Sequence, residues 1–148
     1  MDQITIDSIF RRFEESMPQK YVKKILDARI YDLALETPVE KAPLLSQRFN
    51  NNILLKREDL QPVFSFKVRG AYNKLRCLSD AQRSAGVIAA SAGNHAQGLA
   101  LAAKKMNVNA TIVMPVTTPE IKVDAVRSRG ANVVLCLLYT SPSPRDLH

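Results

Sequence analysis

The chain is predicted to fold as an α/β domain, a mostly parallel sheet with flanking helices. Three observations predict it. Short apolar runs at 87–90, 110–114 and 132–135 have the length of buried strands. Helix-like segments separate them, most clearly the alanine-rich stretch 95–106. Each segment also carries its own stop or start signal, with Gly86 and Gly130 ending helices and Pro119 opening one. Helices that regularly separate short strands return the chain in one direction, which is how parallel sheets are wound.

Taken in order, residues 1–17 read as a polar, weakly amphipathic leader with Ile9, Phe10, Phe13 and Met17 at roughly helical spacing. Pro18 suits the first turn of the next helix, whose apolar stripe is Tyr21, Val22, Ile25 and Leu26. Thr37-Pro38 and Ala42-Pro43 punctuate the following stretch, and a short helix is expected over 43–49. Asn50-Asn51-Asn52 is a turn leading into a strand at 53–56. A helix follows Ser65, with Phe66, Tyr72, Leu75 and Leu78 expected on its packed side. Ser79 and Asp80 can cap another that runs to Ala85. The run 87–90 is expected to be a buried strand.

The 148 residues carry a formal net charge of +7, from 21 Lys and Arg against 14 Asp and Glu. The basic residues are spread in pairs such as Arg11-Arg12 and Lys104-Lys105, without a long run or interleaved aromatics, so no nucleic-acid partner is expected. The apolar runs fall far short of the roughly 20 residues that a membrane span needs, so no membrane partner is expected either. Residues 1–13 do not look like a secretory signal, and Cys77 and Cys136 lack the spacing of a metal site or disulfide framework. A cytoplasmic setting without a bound metal is the expectation.

Chemistry concentrates in two segments at the ends of predicted strands, where open α/β sheets place their sites. In the first, 56–72, Lys67 stands near a helix start, flanked by Phe64 and Phe66. Positive helix potential and partial desolvation there would both favour a neutral, nucleophilic amine. A lysine in a first helical turn is more often a solubilising surface residue, and position alone does not separate the two. The second segment, Ser91-Ala92-Gly93-Asn94-His95-Ala96-Gln97-Gly98, joins a strand to a helix with small residues and a polar fringe. Its unpaired N–H groups suit a carboxylate or phosphate. The plainer alternative is that Asn94 caps the helix and His95 bonds locally. Neither the dinucleotide fingerprint nor the P-loop spacing is present.

The two segments together, with Ile112-Val113-Met114-Pro115, resemble the serine/threonine dehydratases of the tryptophan-synthase-β-like pyridoxal-phosphate enzymes (fold type II), and among them the long biosynthetic threonine dehydratases. The resemblance runs from about Tyr21 to Leu135. It implies pyridoxal 5'-phosphate as cofactor, with Lys67 holding it covalently and later exchanging protons at the substrate Cα. Phe66 matches the residue packed near the cofactor ring and Asn94 the asparagine bonded to the ring hydroxyl. Ser91, Gly93, Asn94 and His95 match the loop that grips the substrate carboxylate. The implied reaction is α,β-elimination from L-threonine, giving 2-oxobutanoate and ammonia for isoleucine biosynthesis, with L-serine giving pyruvate by the same path. Arg69 is read as structural. Similar racemases have a serine where this chain has Ala92, and alanine cannot transfer a proton, which favours elimination over racemisation. A non-catalytic binding module that kept the anion loop is the alternative from another class.

The resemblance also implies that the fold is incomplete. Residues 1–20 read as the leader and 21–135 as the first part of the catalytic domain, including its smaller lobe. A glycine-rich phosphate cradle, a partner for the pyridine nitrogen and a C-terminal region binding isoleucine are not found in the chain. Homo-oligomerisation is implied for the full-length enzyme. The run from Cys136 to Asp146 does not resemble the family, and its Ser-Pro repeats suit neither helix nor strand. It resembles the conceptual translation of a transposon-type sequencing-library adapter. The chain by itself is therefore expected to bind the cofactor poorly and to lack dehydratase activity.

Overall fold

A computed structural model describes residues 18–137. The leader expected over 1–17 and the tail from residue 138 lie outside the described residues. Helix α1 (Pro18–Leu26) exposes Tyr21, Val22, Ile25 and Leu26, the apolar stripe read from the sequence. A 3₁₀ turn, Ile30–Asp32, leads to strand β1 (Val39–Lys41). This strand was not expected. Pro38 and Pro43 leave only a short stretch between them with its donors intact. It pairs antiparallel with β2 (Leu54–Lys56), Val39 opposite Lys56. Helix α2 (Pro43–Arg48) joins them, and the Ser46 hydroxyl accepts the Ile53 N–H at 3.0 Å. Asn50, with φ of 45°, makes the turn expected of the asparagine run.

The rest of the chain builds the parallel sheet. A second 3₁₀ turn, Glu58–Leu60, precedes helix α3 (Lys67–Arg76), followed by α4 (Asp80–Ala85). Ser79 and Gln82 form a reciprocal capping box at the start of α4. Gly86, at φ 83°, ends α4 as expected. Its added Cβ would meet the Asn109 carbonyl oxygen at 2.8 Å, so glycine is needed here on both counts. Strands β3 (Val87–Ala90), β4 (Ala110–Pro115) and β5 (Asn132–Cys136) form a parallel sheet in the order β3-β4-β5. Helix α5 (Asn94–Met106) connects the first two, and α6 (Glu120–Arg127), capped by Pro119, the last two. Strand β5 includes Cys136, opposite Pro115, so the ladder runs one residue into the segment set apart in the sequence.

The core lies between one face of this sheet and the helices. Ala110, Ile112 and Met114 of β4 alternate inward and meet Leu99, Ala100 and Ala103 of α5 and Val123 and Val126 of α6. Ala71, Tyr72 and Leu75 of α3 complete the cluster against α5. Fully burying side chains such as Leu75 and Ile112 contributes roughly 1.5–3 kcal/mol each.

Two expectations need correction. Strand β3 is not buried. It is the sheet edge, and Ile88 points to the opposite face, 72% exposed among the described residues. On α3, Tyr72 and Leu75 are buried, whereas Phe66 sits before the first turn and is exposed. Val68 and Ala71 take the inward positions instead, one turn before Tyr72 and Leu75.

Candidate active site

Lys67 is the first residue of α3. The chain arrives there through Phe64, held at φ 54°, a left-handed conformation that a bulky aromatic residue rarely adopts. Phe64 donates its N–H to the Gln61 carbonyl at 2.7 Å, closing the turn, and the buried Ser65 accepts the Lys67 N–H at 3.3 Å. The Lys67 side chain is exposed, and its amine lies 5.0 Å from the centroid of the Phe66 ring. The desolvation expected of this lysine is therefore not supplied by the described residues. Its face is open.

Helix α3 is held from behind by a polar network that the sequence did not reveal. Arg69 donates to both carboxylate oxygens of Glu58, at 2.8 and 2.7 Å, and to the Leu35 carbonyl at 3.0 Å. Thr37 donates its hydroxyl to Glu58 at 2.6 Å. Gln61, fully buried, accepts the Leu35 N–H at 2.9 Å and donates to the Leu35 carbonyl at 2.8 Å, acting as a strand partner for that residue. The Arg69 hydrogen bonds outweigh the cost of burial and hold the Glu58 carboxyl down at about 2. The same carboxylate, through those hydrogen bonds, raises Arg69 further above its ordinary value. Arg69 is thus occupied by Glu58, in keeping with a structural reading. Nearby, Arg57 bridges Asp59 and Glu40 at the surface, and its hydrogen bonds lower the Asp59 carboxyl.

The second segment stands at the C-terminal edge of the parallel sheet. Ser91 donates its N–H to the Val113 carbonyl at 3.0 Å, the last bond of the β3–β4 ladder, and its hydroxyl accepts the Gly93 N–H at 3.4 Å. Gly93 is the cap residue of α5 and, like Phe66 before α3, supplies no side-chain cap. Asn94 is the first helical residue, so the capping role considered for it is not what it does. Asn94 and His95 are exposed at the helix start, where the N–H groups carry partial positive charge. The Cβ positions at Gly93 are open, with nothing within 4 Å among the described residues.

Helices α3 and α5 bring the two segments together. Gly98, one turn beyond Asn94, lies against the peptide that joins Lys67 to Val68. An added Cβ there would be 3.0 Å from the Lys67 carbonyl carbon and 3.1 Å from the Val68 nitrogen. Lys67 and the Ser91–His95 loop therefore share one end of a tightly packed helix pair. Sequence reasoning missed Gly98 and the Glu58–Arg69 network, and it also missed Thr118. The Thr118 hydroxyl is buried without a partner among the described residues, on the turn after β4 at the same sheet edge as Ser91. Only a hydroxyl beside Pro119 marked it in the sequence.

These features fit pyridoxal phosphate: an exposed amine at one helix start, a carboxamide and open backbone N–H groups at the next, and space over both. The pyridoxal-phosphate dependent enzyme family matches residues 30–147, a span that includes most of the segment after Cys136. The chain is 58% identical over 116 residues to threonine dehydratase 1 biosynthetic, chloroplastic, of Solanum lycopersicum, covering 78% of this chain and 19% of that protein. It is 61% identical over 110 residues to the biosynthetic L-threonine dehydratase of Burkholderia multivorans, covering 74% and 22%. The structure of processed threonine deaminase isoform 2 from Solanum lycopersicum superposes with a TM-score of 0.76 at 50% identity, over 90% of this chain and 36% of that one. Serine racemase from Dictyostelium discoideum gives a TM-score of 0.75 at 34% identity, over 81% and 39%. The chain spans about a fifth of the length of the curated relatives it matches. On the extent of the family match and the fit of its two helix starts to the cofactor, this chain belongs to the pyridoxal-phosphate dependent enzymes, with the fold-type-II architecture of that family.

Proposed function

We propose that this chain is the cofactor-lysine segment of a biosynthetic threonine dehydratase, which converts L-threonine to 2-oxobutanoate and ammonia and handles L-serine in the same way. The observation that carries the reading is the pairing of Lys67 and Asn94 at the starts of two helices packed against each other at Gly98. Threonine as substrate is supported by the names of the relatives at 58% and 61% identity.

When bound, pyridoxal phosphate supplies the electron sink that allows a Cα–H bond to break and a β-hydroxyl to leave. Lys67 would hold the cofactor through its amine, and the same amine would serve as the base for the substrate Cα proton. Asn94 would bond the cofactor's ring hydroxyl. The backbone N–H groups of Asn94 and His95, aided by the side chains of Ser91 and His95, would hold the substrate carboxylate and so fix which bond faces Lys67, an effect of orientation more than of base strength. Phe66 would pack beside the cofactor ring. Racemisation would need a second acid on the opposite face, and Ala92 offers none. Self-association and control by isoleucine belong, in this reading, to parts of the relatives outside the matched segment, and the unpaired Cys77 and Cys136 suit a reducing, cytoplasmic setting.

The test is turnover. The full-length dehydratase carrying this segment is expected to release 2-oxobutanoate and ammonia from L-threonine, and its Lys67→Ala variant to lose at least about a thousandfold in kcat while staying folded. The 148-residue chain alone, with Lys67 and Asn94 exposed, is expected to release neither product. A folded Lys67→Ala enzyme with near-normal turnover would exclude the proposal.

A further inference from the structure

Glycine inside a helix costs about 1 kcal/mol relative to alanine, so a buried helical glycine calls for a reason. Gly98 lies five residues into α5, flanked by Ala96, Leu99 and Ala100, all buried and all carrying a Cβ. Its backbone is ordinary, since it is not among the positive-φ residues. The reason is contact. A Cβ at Gly98 would lie 3.0, 3.1 and 3.2 Å from the Lys67 carbonyl carbon, the Val68 nitrogen and the Lys67 carbonyl oxygen. All three atoms are backbone, so no change of rotamer relieves the clash. By contrast, a Cβ at Gly70 on α3 meets nothing within 4 Å among the described residues.

We infer that Gly98 is a positioning residue: its missing side chain sets the distance between the Lys67 backbone and the loop at Ser91–His95. The two ends of this contact carry the two halves of the proposed chemistry. Gly98 is rigidly joined to Asn94 through one turn of α5, and the peptide it touches belongs to Lys67 itself. A methyl group at 98 pushes the first turn of α3 away by a few tenths of an ångström and carries Lys67 with it, while the carboxylate loop stays with α5. The Lys67 amine then meets Cα from the wrong place, with substrate still bound. This inference rests on the proposed role of Lys67.

The test uses the full-length dehydratase loaded with pyridoxal phosphate. Gly98→Ala is expected to lower kcat about tenfold with KM for L-threonine within about twofold, because small misplacements of reacting groups are costly. The fraction of Lys67 that carries the cofactor after borohydride reduction, read by mass spectrometry, is expected to fall as well. A folded Gly98→Ala enzyme with kcat and Lys67 labelling both within about twofold of wild type overturns the inference, as does a loss confined to thermal stability. Should Gly98→Ala fail to fold, the wild-type holoenzyme decides. Contact between Gly98 and the Lys67–Val68 peptide in its crystal structure supports the inference, and a gap wide enough for a methyl group there overturns it. Absence of label on Lys67 in the wild-type enzyme would instead overturn the proposed function, and this inference with it.

Discussion

Arg69 and Glu58 form a two-pronged ion pair, Nε to one carboxylate oxygen at 2.8 Å and Nη2 to the other at 2.7 Å, across eleven residues of chain. Both side chains are largely shielded, at 20% and 16% exposure. The pair ties the helix that begins at Lys67 to the segment containing Leu35 and Thr37. Replacing Glu58 with Gln removes the charge and one good acceptor while leaving Arg69 shielded, which is expected to cost about 1.5–3 kcal/mol in chemical unfolding.

The same pair gives a pH dependence of known sign. Glu58 is held at about 2, from 4.5, first by the Arg69 hydrogen bonds. A carboxyl depressed in the folded state contributes its full stability above its unfolded value and loses it as pH falls through the folded value. Stability measured in urea should therefore drop between about pH 4.5 and 2 in wild type, with a shallower drop in Glu58→Gln. Parallel curves for the two would show that other carboxyls account for the loss.

Gly86 makes a sharper prediction about the fold. At φ 83° and with the Asn109 carbonyl oxygen 2.8 Å from an added Cβ, Gly86→Ala must adopt a strained backbone and also move the strand edge. A loss of about 1–3 kcal/mol is expected by thermal or chemical unfolding. Gly70→Ala, with open space around it, serves as the control and should be neutral or stabilising.

Much of this architecture was legible in the sequence because its signals are local. Ser79, Gly86 and Pro119 each mark a boundary by its own chemistry, and all three stand at the boundaries found, whereas the helix expected to run up to Gly130 ends at Arg127 and Gly130 closes the turn after it. What was not legible depended on partners far along the chain. Gln61 looks like a loop residue until Leu35, 26 positions away, closes on both ends of its amide. Strand β1 exists only because β2 pairs with it. Ile88 belongs to an apolar run that reads as buried, yet its burial depends on what covers the second sheet face. At the site, the sequence pointed to Lys67 and Asn94 by resemblance, but Gly98 owes its meaning to a contact across two helices.

In the proposed function, Ala92 favours elimination over racemisation. The full-length enzyme given L-serine is expected to release pyruvate and ammonia with negligible D-serine, measured by chiral chromatography. D-serine formed at a rate comparable with ammonia release would show that another residue supplies the opposite-face acid.

The most direct test of the central claim is to locate the cofactor. Borohydride reduction of the full-length enzyme with pyridoxal phosphate, followed by proteolysis and peptide mass spectrometry, is expected to place the reduced cofactor on Lys67. A label found on another lysine, with Lys67 unmodified, would contradict it.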